Sequence, residues 1–346
     1  MTVAEEPRRA PAGAASWIDE NQRHLAAALA RVRWFLERRA AGEEDDAAAD
    51  PPPEPSLPAA GLPALEALCR TFDLSPFERD VLLMAAGPEL DAGFAELVCD
   101  LHGRGSEAAG RARPTFGMAL AALPDAHWSA LAPSAPLRFW RFVELAGGSP
   151  TRGGLAIDER VLGFLTGLRH LDERLAPLLT AVDDPGPAGL VPSHLRQAER
   201  ITAAWRQATA EGLPLPAVEL TGRDAAAQRG IAARAAAELG LALWRLPLSA
   251  LPHAAAELDS MVRLWDREAV FSGAALLVDA AALGPTAAGH EGGGDDAARA
   301  EALSRLVDAV RGPLLVAAPH RLAPGLRPRF EVEVGPPDGG EQRRVW

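Results

Sequence analysis

Lysine and tyrosine are absent from the chain, and cysteine occurs twice in 346 residues. The first two absences, beside abundant Ala, Arg, Gly and Pro, are the codon bias of a GC-rich genome and say nothing of a site. So few cysteines exclude a disulfide framework, and neither Cys69 nor Cys99 has a second Cys or His at metal-ligand spacing. Both are expected as buried free thiols, and no metal site is expected. No apolar run reaches the roughly 18 residues of a membrane span, and the N-terminus opens on acids where a signal peptide carries an apolar core. The expectation is therefore no membrane partner and a cytoplasmic location. An excess of basic charge is missing too. Residues 1–60 carry 11 acids against 7 Arg, residues 61–180 carry 15 against 11, and the remainder 21 against 17, so no part is a basic module.

What is present is a chain long enough for two or three domains, 48% hydrophobic and 24% charged, as soluble proteins with real cores are. Trp17, Leu25, Leu29, Val32, Phe35 and Leu36 recur at helical spacing and predict an amphipathic helix over residues 1–41, with Arg23, Arg31, Arg38 and Arg39 on its solvated face. Residues 42–60, acidic and then rich in proline, read as a linker that buries no core. Residues 61–181 read as a second, mainly helical unit. Ser75-Pro76-Phe77-Glu78 places an N-cap, a first-turn Pro and a capping-box Glu ahead of Val81 to Met84. Gly87-Pro88 is expected to end that helix, and Leu90 to Leu101 to form the next. Leu137 to Leu145 alternates as a strand would, followed by a Gly-rich turn and Leu155 to Ile157. Helices followed by a small hairpin are the ingredients of a winged helix.

A winged helix raises DNA binding, but Leu90 to Leu101 presents Asp91, Glu96 and Asp100, which repel phosphates. Protein contact is the expected role and nucleic acid is not an expected partner. Arg104, Arg111 and Arg113 are the residual case for DNA. The triplets Asp158-Glu-Arg and Asp172-Glu-Arg read as solvated, salt-bridged helix faces rather than acid/base pairs.

After a linker over residues 182–192, residues 193–346 alternate helix and strand as an α/β domain with a buried parallel sheet does. Its opening strand, turn and helix have the layout of a phosphate-binding loop. That chemistry needs G-x-x-x-x-G-K-[ST], with Lys for the β/γ-phosphates and a hydroxyl for Mg²⁺. Counting from Gly222, the second Gly falls at Ala227, the Lys at Gln228 and the hydroxyl at Arg229, so three of four positions fail.

The spacing of this third unit resembles the AAA+ ATPase module. From Leu62 onward the chain resembles the N-terminal portion of a family of bacterial AAA+ proteins with a winged-helix region ahead of a degenerate first module, often associated with phage-tail-like contractile injection particles. The stretches that carry the resemblance are Leu74-Ser-Pro-Phe-Glu-Arg-Asp-Val-Leu-Leu, Pro114-Thr-Phe-Gly-Met-Ala-Leu-Ala-Ala-Leu-Pro, Ile157-Asp-Glu-Arg-Val-Leu and Leu264-Trp-Asp-Arg-Glu-Ala. The fold it implies is a P-loop-like parallel-sheet domain behind a winged-helix-like one. Ala275-Leu-Leu-Val-Asp279 then corresponds to the Walker B strand, keeping the Mg²⁺-side Asp while Ala280 replaces the Glu that polarises water. The polar sensor residue would fall among Ala317 and Ala318. Leu326-Arg-Pro-Arg-Phe330 resembles an arginine-finger loop, offering Arg327 or Arg329, with plain loop arginines as the alternative. No aromatic pore loop occurs between Leu246 and Leu264. Gly335-Pro-Pro-Asp-Gly-Gly-Glu-Gln-Arg resembles the segment that opens a helical lid, so a longer natural chain is expected.

The resemblance implies ATP and Mg²⁺ as cofactors of the parent protein, a protein client, and self-association in a ring. For this segment it implies a vestigial nucleotide site at Gly222, Gln228, Arg229 and Asp279, weak or no nucleotide binding, and no hydrolysis. The competing reading is a non-enzymatic DNA-binding regulator or oligomerising scaffold.

Overall fold

Leu25, Ala28, Val32 and Leu36 lie on one side of α1 (Ala12–Ala41), and all four are buried. The computed structural model describes residues 12–42, 50–57, 61–102, 113–147, 149–283, 294–337 and 340–341, and the chain divides into two units, residues 1–170 and 171–346. α1 belongs to the first. Asn21 stitches it in, its Nδ2 donating to Leu165 O at 2.8 Å and its Oδ1 accepting Ala64 N–H at 2.8 Å, where it caps α2 (Ala64–Thr71). His24 adds a 3.1 Å contact to Glu66. Residues 1–41 are thus not an element apart. The proline stretch behind them is also tied down: Arg31 donates to Pro52 O at 2.6 Å, and Pro51, Pro52 and Pro55 are half-buried. The rest of the expected linker, residues 43–49 and 58–60, lies outside the described residues.

α3 (Pro76–Leu90) begins as its sequence dictates. Ser75 Oγ accepts Glu78 N–H while the Glu78 carboxylate accepts Ser75 N–H, a reciprocal capping box. The helix does not end at Gly87-Pro88. It runs to Leu90, because Gly87 serves packing rather than termination: a Cβ there would lie 2.5 Å from the Phe94 ring. Asp91, expected inside the next helix, is instead the N-cap of α4 (Ala92–Leu101), accepting Phe94 N–H at 3.1 Å.

Thr115 caps α5 (Phe116–Ala122), a 3₁₀ turn follows over Trp128–Leu131, and Pro136 opens α6 (Pro136–Phe139). The strand expected from Leu137 is therefore shorter. A proline at the first helical position presets a turn, and pairing starts only with β1 (Val143–Ala146), antiparallel to β2 (Gly154–Ile157). α7 (Glu159–Thr166) starts at Asp158, whose carboxylate accepts Arg160 N–H and Val161 N–H, and stops at left-handed Gly167. Asp158 and Arg160 are buried, so this triplet is a helix cap and not a solvated face. Cys69 is buried, its thiol pushed up to about 12 mainly by desolvation, whereas Cys99 is only half-buried.

The second unit starts at Leu171, earlier than the boundary expected after residue 181. In its second Asp-Glu-Arg triplet the Asp is buried while Glu173 and Arg174 are exposed. Asp172 Oδ2 accepts from Arg267, a fully buried side chain, at 2.6 Å, and from Arg174 at 2.7 Å. Burial alone would raise the Asp172 pKa, but the hydrogen bonds and charge of Arg174 and the charge of Arg267 outweigh it and hold it at about 2. Then come β3 (Thr180–Val182), α8 (Pro192–Ala210), β4 (Ala217–Thr221), α9 (Ala225–Glu238), β5 (Ala242–Pro247), α10 (Ala255–Ser272), β6 (Ala274–Asp279), α11 (Gly294–Ala309), β7 (Leu314–Ala318) and β8 (Arg329–Glu333).

The strands form one sheet in the order β3-β5-β6-β7-β4-β8, parallel except for β3, which runs antiparallel along β5. β6 and β7 are buried throughout, as strands apolar at every position require. Trp265 and Met261 of α10 and Leu303 and Leu306 of α11 join one core cluster with Leu276, Val278 and Leu314. Ile201 and Trp205 of α8 and Ile231 of α9 join a second with Val218, Leu277 and Leu315. Opposite-facing neighbours along each strand thus fill separate cores, the signature of a sheet covered on both faces.

The chain that leaves β8 is held along α8. Gln197 Nε2 donates to Glu333 O at 2.6 Å, His194 Nε2 contacts Gly335 O at 3.2 Å, and the buried Glu341 carboxylate accepts both Ser193 N–H and Ser193 Oγ–H at 2.7 Å. Residues 338–339 and 342–346 of the expected lid-opening segment lie outside the described residues.

Candidate functional site

β4 lies between β7 and β8, so the chain order reverses beside it, and the carboxyl end of such a strand is where open α/β sheets bind ligands. The turn that leaves β4 there is the Gly222 loop. Gly222 has φ +152°, donates its N–H to Ala318 O at 3.1 Å, and sits so close to β8 that a Cβ would lie 2.4 Å from Val334 O. Glycine is required here by packing. Above the loop is a cleft of about 470 Å³ lined by Thr221, Gly222, Arg223, Asp224, Glu333 and Val334 among others.

Gln228, at the lysine position, is buried. Its Nε2 donates inward, to Leu220 O at 3.0 Å, Gly222 O at 3.2 Å and Ala318 O at 3.0 Å. The side chain thus joins the ends of β4 and β7 instead of reaching toward the cleft. Asp224 is the N-cap of α9, its Oδ1 accepting Ala226 N–H at 3.0 Å and Ala227 N–H at 2.9 Å. These are amides of the helix start, where a phosphate would bind, and they already hold an anion of the chain itself.

Asp279 and Arg229, which the resemblance sets on the Mg²⁺ side, are likewise engaged within the chain. Asp279 Oδ2 accepts from Arg245 Nε at 2.8 Å and lies 3.6 Å from Arg229 Nη1, while its Oδ1 accepts Ala281 N–H at 3.2 Å. Arg229, which the motif count sets at the hydroxyl position, therefore supplies positive charge to Asp279. Ala280 is buried, its N–H bound to Ala317 O, and Ala317 and Ala318 are buried in β7, so these three positions place no polar side chain at the strand ends. Among the described residues no group of three or more His, Cys, Asp or Glu is arranged to hold a metal ion.

Arg327 and Arg329 are not brought to this loop's polar cluster. The Arg327 guanidinium donates to Leu215 O at 3.0 and 2.8 Å, to Gly312 O at 2.8 Å and to Val310 O, and burial lowers its pKa to about 10 against the pull of Asp266 and Asp308. Arg329 Nη1 lies 3.6 Å from the buried Glu219 carboxylate. Both side chains brace the N-terminal side of β4 and β8 from within.

In the first unit Asp91, Glu96 and Asp100 are exposed along α4. Arg113 is exposed and its carbonyl contacts His102 Nε2 at 2.8 Å, whereas Arg104 and Arg111 lie outside the described residues. A different polar cluster, which no motif in the sequence marks as a whole, joins Ser75, Glu78, His127 and Ser129; in it His127 contacts Ser75 Oγ at 2.9 Å and Ser129 Oγ at 2.7 Å. The capping box was the legible half of it. No described helix is long and apolar enough to cross a membrane.

Compared with known proteins, residues 15–179 match the family model described as "Winged helix domain, variant". The match takes in most of α1 and the β1–β2 hairpin, which supports a winged-helix region in the N-terminal part of the chain. No curated protein matches the chain.

Proposed function

We propose that this chain is the adaptor and nucleotide-independent first module of an AAA+ ATPase that remodels or loads a partner protein, in service of a contractile injection particle, with self-association in a cytoplasmic ring. The observation that carries the reading is that every group placed to serve a nucleotide is already engaged within the chain. The Asp224 carboxylate fills amides at the start of α9, the Gln228 amide fills carbonyls of β4 and β7, and Arg229 and Arg245 neutralise Asp279. A nucleotide would have to break these bonds and then approach a cleft bearing Asp224 and Glu333. Hydrolysis lacks its base as well, since Ala280 stands beside Asp279. In the parent protein ATP and Mg²⁺ act at a later module.

The acidic α4 supports protein contact over DNA for the winged-helix domain, because Asp91, Glu96 and Asp100 all face solvent. The test is a titration of a fluorescent ATP analogue onto the chain, with and without Mg²⁺. No saturable binding below millimolar nucleotide is expected, and tight binding or turnover overturns the reading. Retention on DNA at moderate salt, lost on changing Arg113 with Arg104 and Arg111, would instead favour the regulator.

A further inference from the structure

The hydroxyl of Ser75 has a fully determined hydrogen-bond shell. Its proton goes to Glu78 Oε2 at 2.8 Å, the same oxygen that accepts the Ser75 N–H at 3.0 Å. One lone pair takes the Glu78 N–H at 3.2 Å, and the other faces His127 Nε2 at 2.9 Å. Nε2 must therefore carry hydrogen and donate. In a neutral imidazole the other nitrogen then holds the lone pair, and Nδ1 points at Ser129 Oγ, 2.7 Å away. Phe77 packs against the imidazole with centroids 5.2 Å apart and fixes the plane of the ring.

Ser129 is exposed, and Trp128 beside it is 71% exposed, an apolar surface next to the hydroxyl. A hydroxyl, a base within hydrogen-bond reach and a third group that orients the base make the arrangement that activates a nucleophile. The capping box of α3 thus does two things: it starts a helix, and it sets the tautomer of a histidine 52 residues away.

We propose that Ser129 is a covalent modification site that accepts an acyl group from an activated ester. Ser129 Oγ attacks the ester carbonyl carbon and its proton passes to His127 Nδ1. The Oγ–C bond forms, the bond to the leaving alkoxide or phenolate breaks, and the imidazolium returns its extra proton to water. Ser75 is a positioning residue that holds the imidazole, and Glu78 holds Ser75.

The test treats the full chain with p-nitrophenyl acetate and locates acetyl groups by peptide mass spectrometry, with exposed Ser134 as the reference in the same molecule. Ser129 is expected to acetylate about a hundredfold faster than Ser134, along a pH profile with one rising step where imidazole loses its proton. His127→Gln brings Ser129 to the reference rate, and Ser75→Ala lowers the rate with the far-UV spectrum unchanged. Equal labelling of Ser129 and Ser134 overturns the proposal, as does a rate that His127→Gln leaves untouched. Should His127→Gln unfold, the profile of the unaltered chain decides, and a flat one overturns it.

Discussion

At Gly222 in the α/β unit and at His127 in the winged-helix unit, polar groups far apart in sequence are drawn into one cluster, and the two clusters finish differently. Around Gly222 the donors and acceptors satisfy one another: Gln228 with three carbonyls, Asp224 with two amides, Asp279 with two arginines. Around His127 the chain of bonds runs from buried Glu78 outward and stops at a hydroxyl in water. The motif-bearing region is the closed one and the unremarked region is the open one. Resemblance to a binding motif marks where a ligand is to be sought; the pairing of its polar atoms decides whether one fits.

The largest expected effect comes from cutting a closed pair in the α/β unit. Asp172→Ala deprives the fully buried Arg267 of its carboxylate, and a loss of about 3–5 kcal/mol is expected in denaturant unfolding. Next is a difference in pH response between the units. Burial raises the Asp80 pKa from 3.8 to about 6 against the attraction of Arg79 and Arg31, so the folded state binds its proton more tightly than the unfolded chain. That contribution is fully present below pH 4 and is lost as pH rises through 6, a change of about 3 kcal/mol.

Asp172 runs the other way, its contribution present above pH 4 and lost as pH falls through 2. Hydrogen exchange read in α3 should therefore slow between pH 7 and 4, after correction for intrinsic exchange, and Asp80→Asn should remove that trend. Smaller still, Gln228→Ala leaves strand-end carbonyls without their donor and should cost about 2 kcal/mol, without creating nucleotide affinity in calorimetry. Gln228→Lys extends the test: a lysine placed there should not by itself create ATP binding, since Asp224 and Arg229 remain. The smallest effect is Ser75→Ala, about 1 kcal/mol of thermal stability from the lost cap.

Local signals were legible and distant pairings were not. The capping box at Ser75 and the continuous apolar strands over residues 274–278 and 314–318 can be read from spacing alone, because each is decided by its immediate neighbours. The Asp-Glu-Arg triplets look the same whether the Asp faces water or caps a helix, and Asp172 is buried only because Arg267 arrives from 95 residues further on. Gly87-Pro88 carries the letters of a helix stop, yet the glycine answers to the Phe94 ring. At the candidate site, sequence located the failed positions but not their replacements. That Arg229 and Arg245 both turn to Asp279 depends on α9 packing over the sheet and on β5 pairing with β6, and that His127 meets Ser75 depends on the packing of a 3₁₀ turn on α3.

The fastening of Glu333, Gly335 and Glu341 to α8 also sets a path for mechanical load. Tension applied to the chain beyond Glu341 falls first on the two bonds between Glu341 and Ser193, then on His194 and Gln197, before any of it reaches the ladder between β8 and β4. α8 would thus bear such a load before the sheet does, and the outermost strand would keep its register.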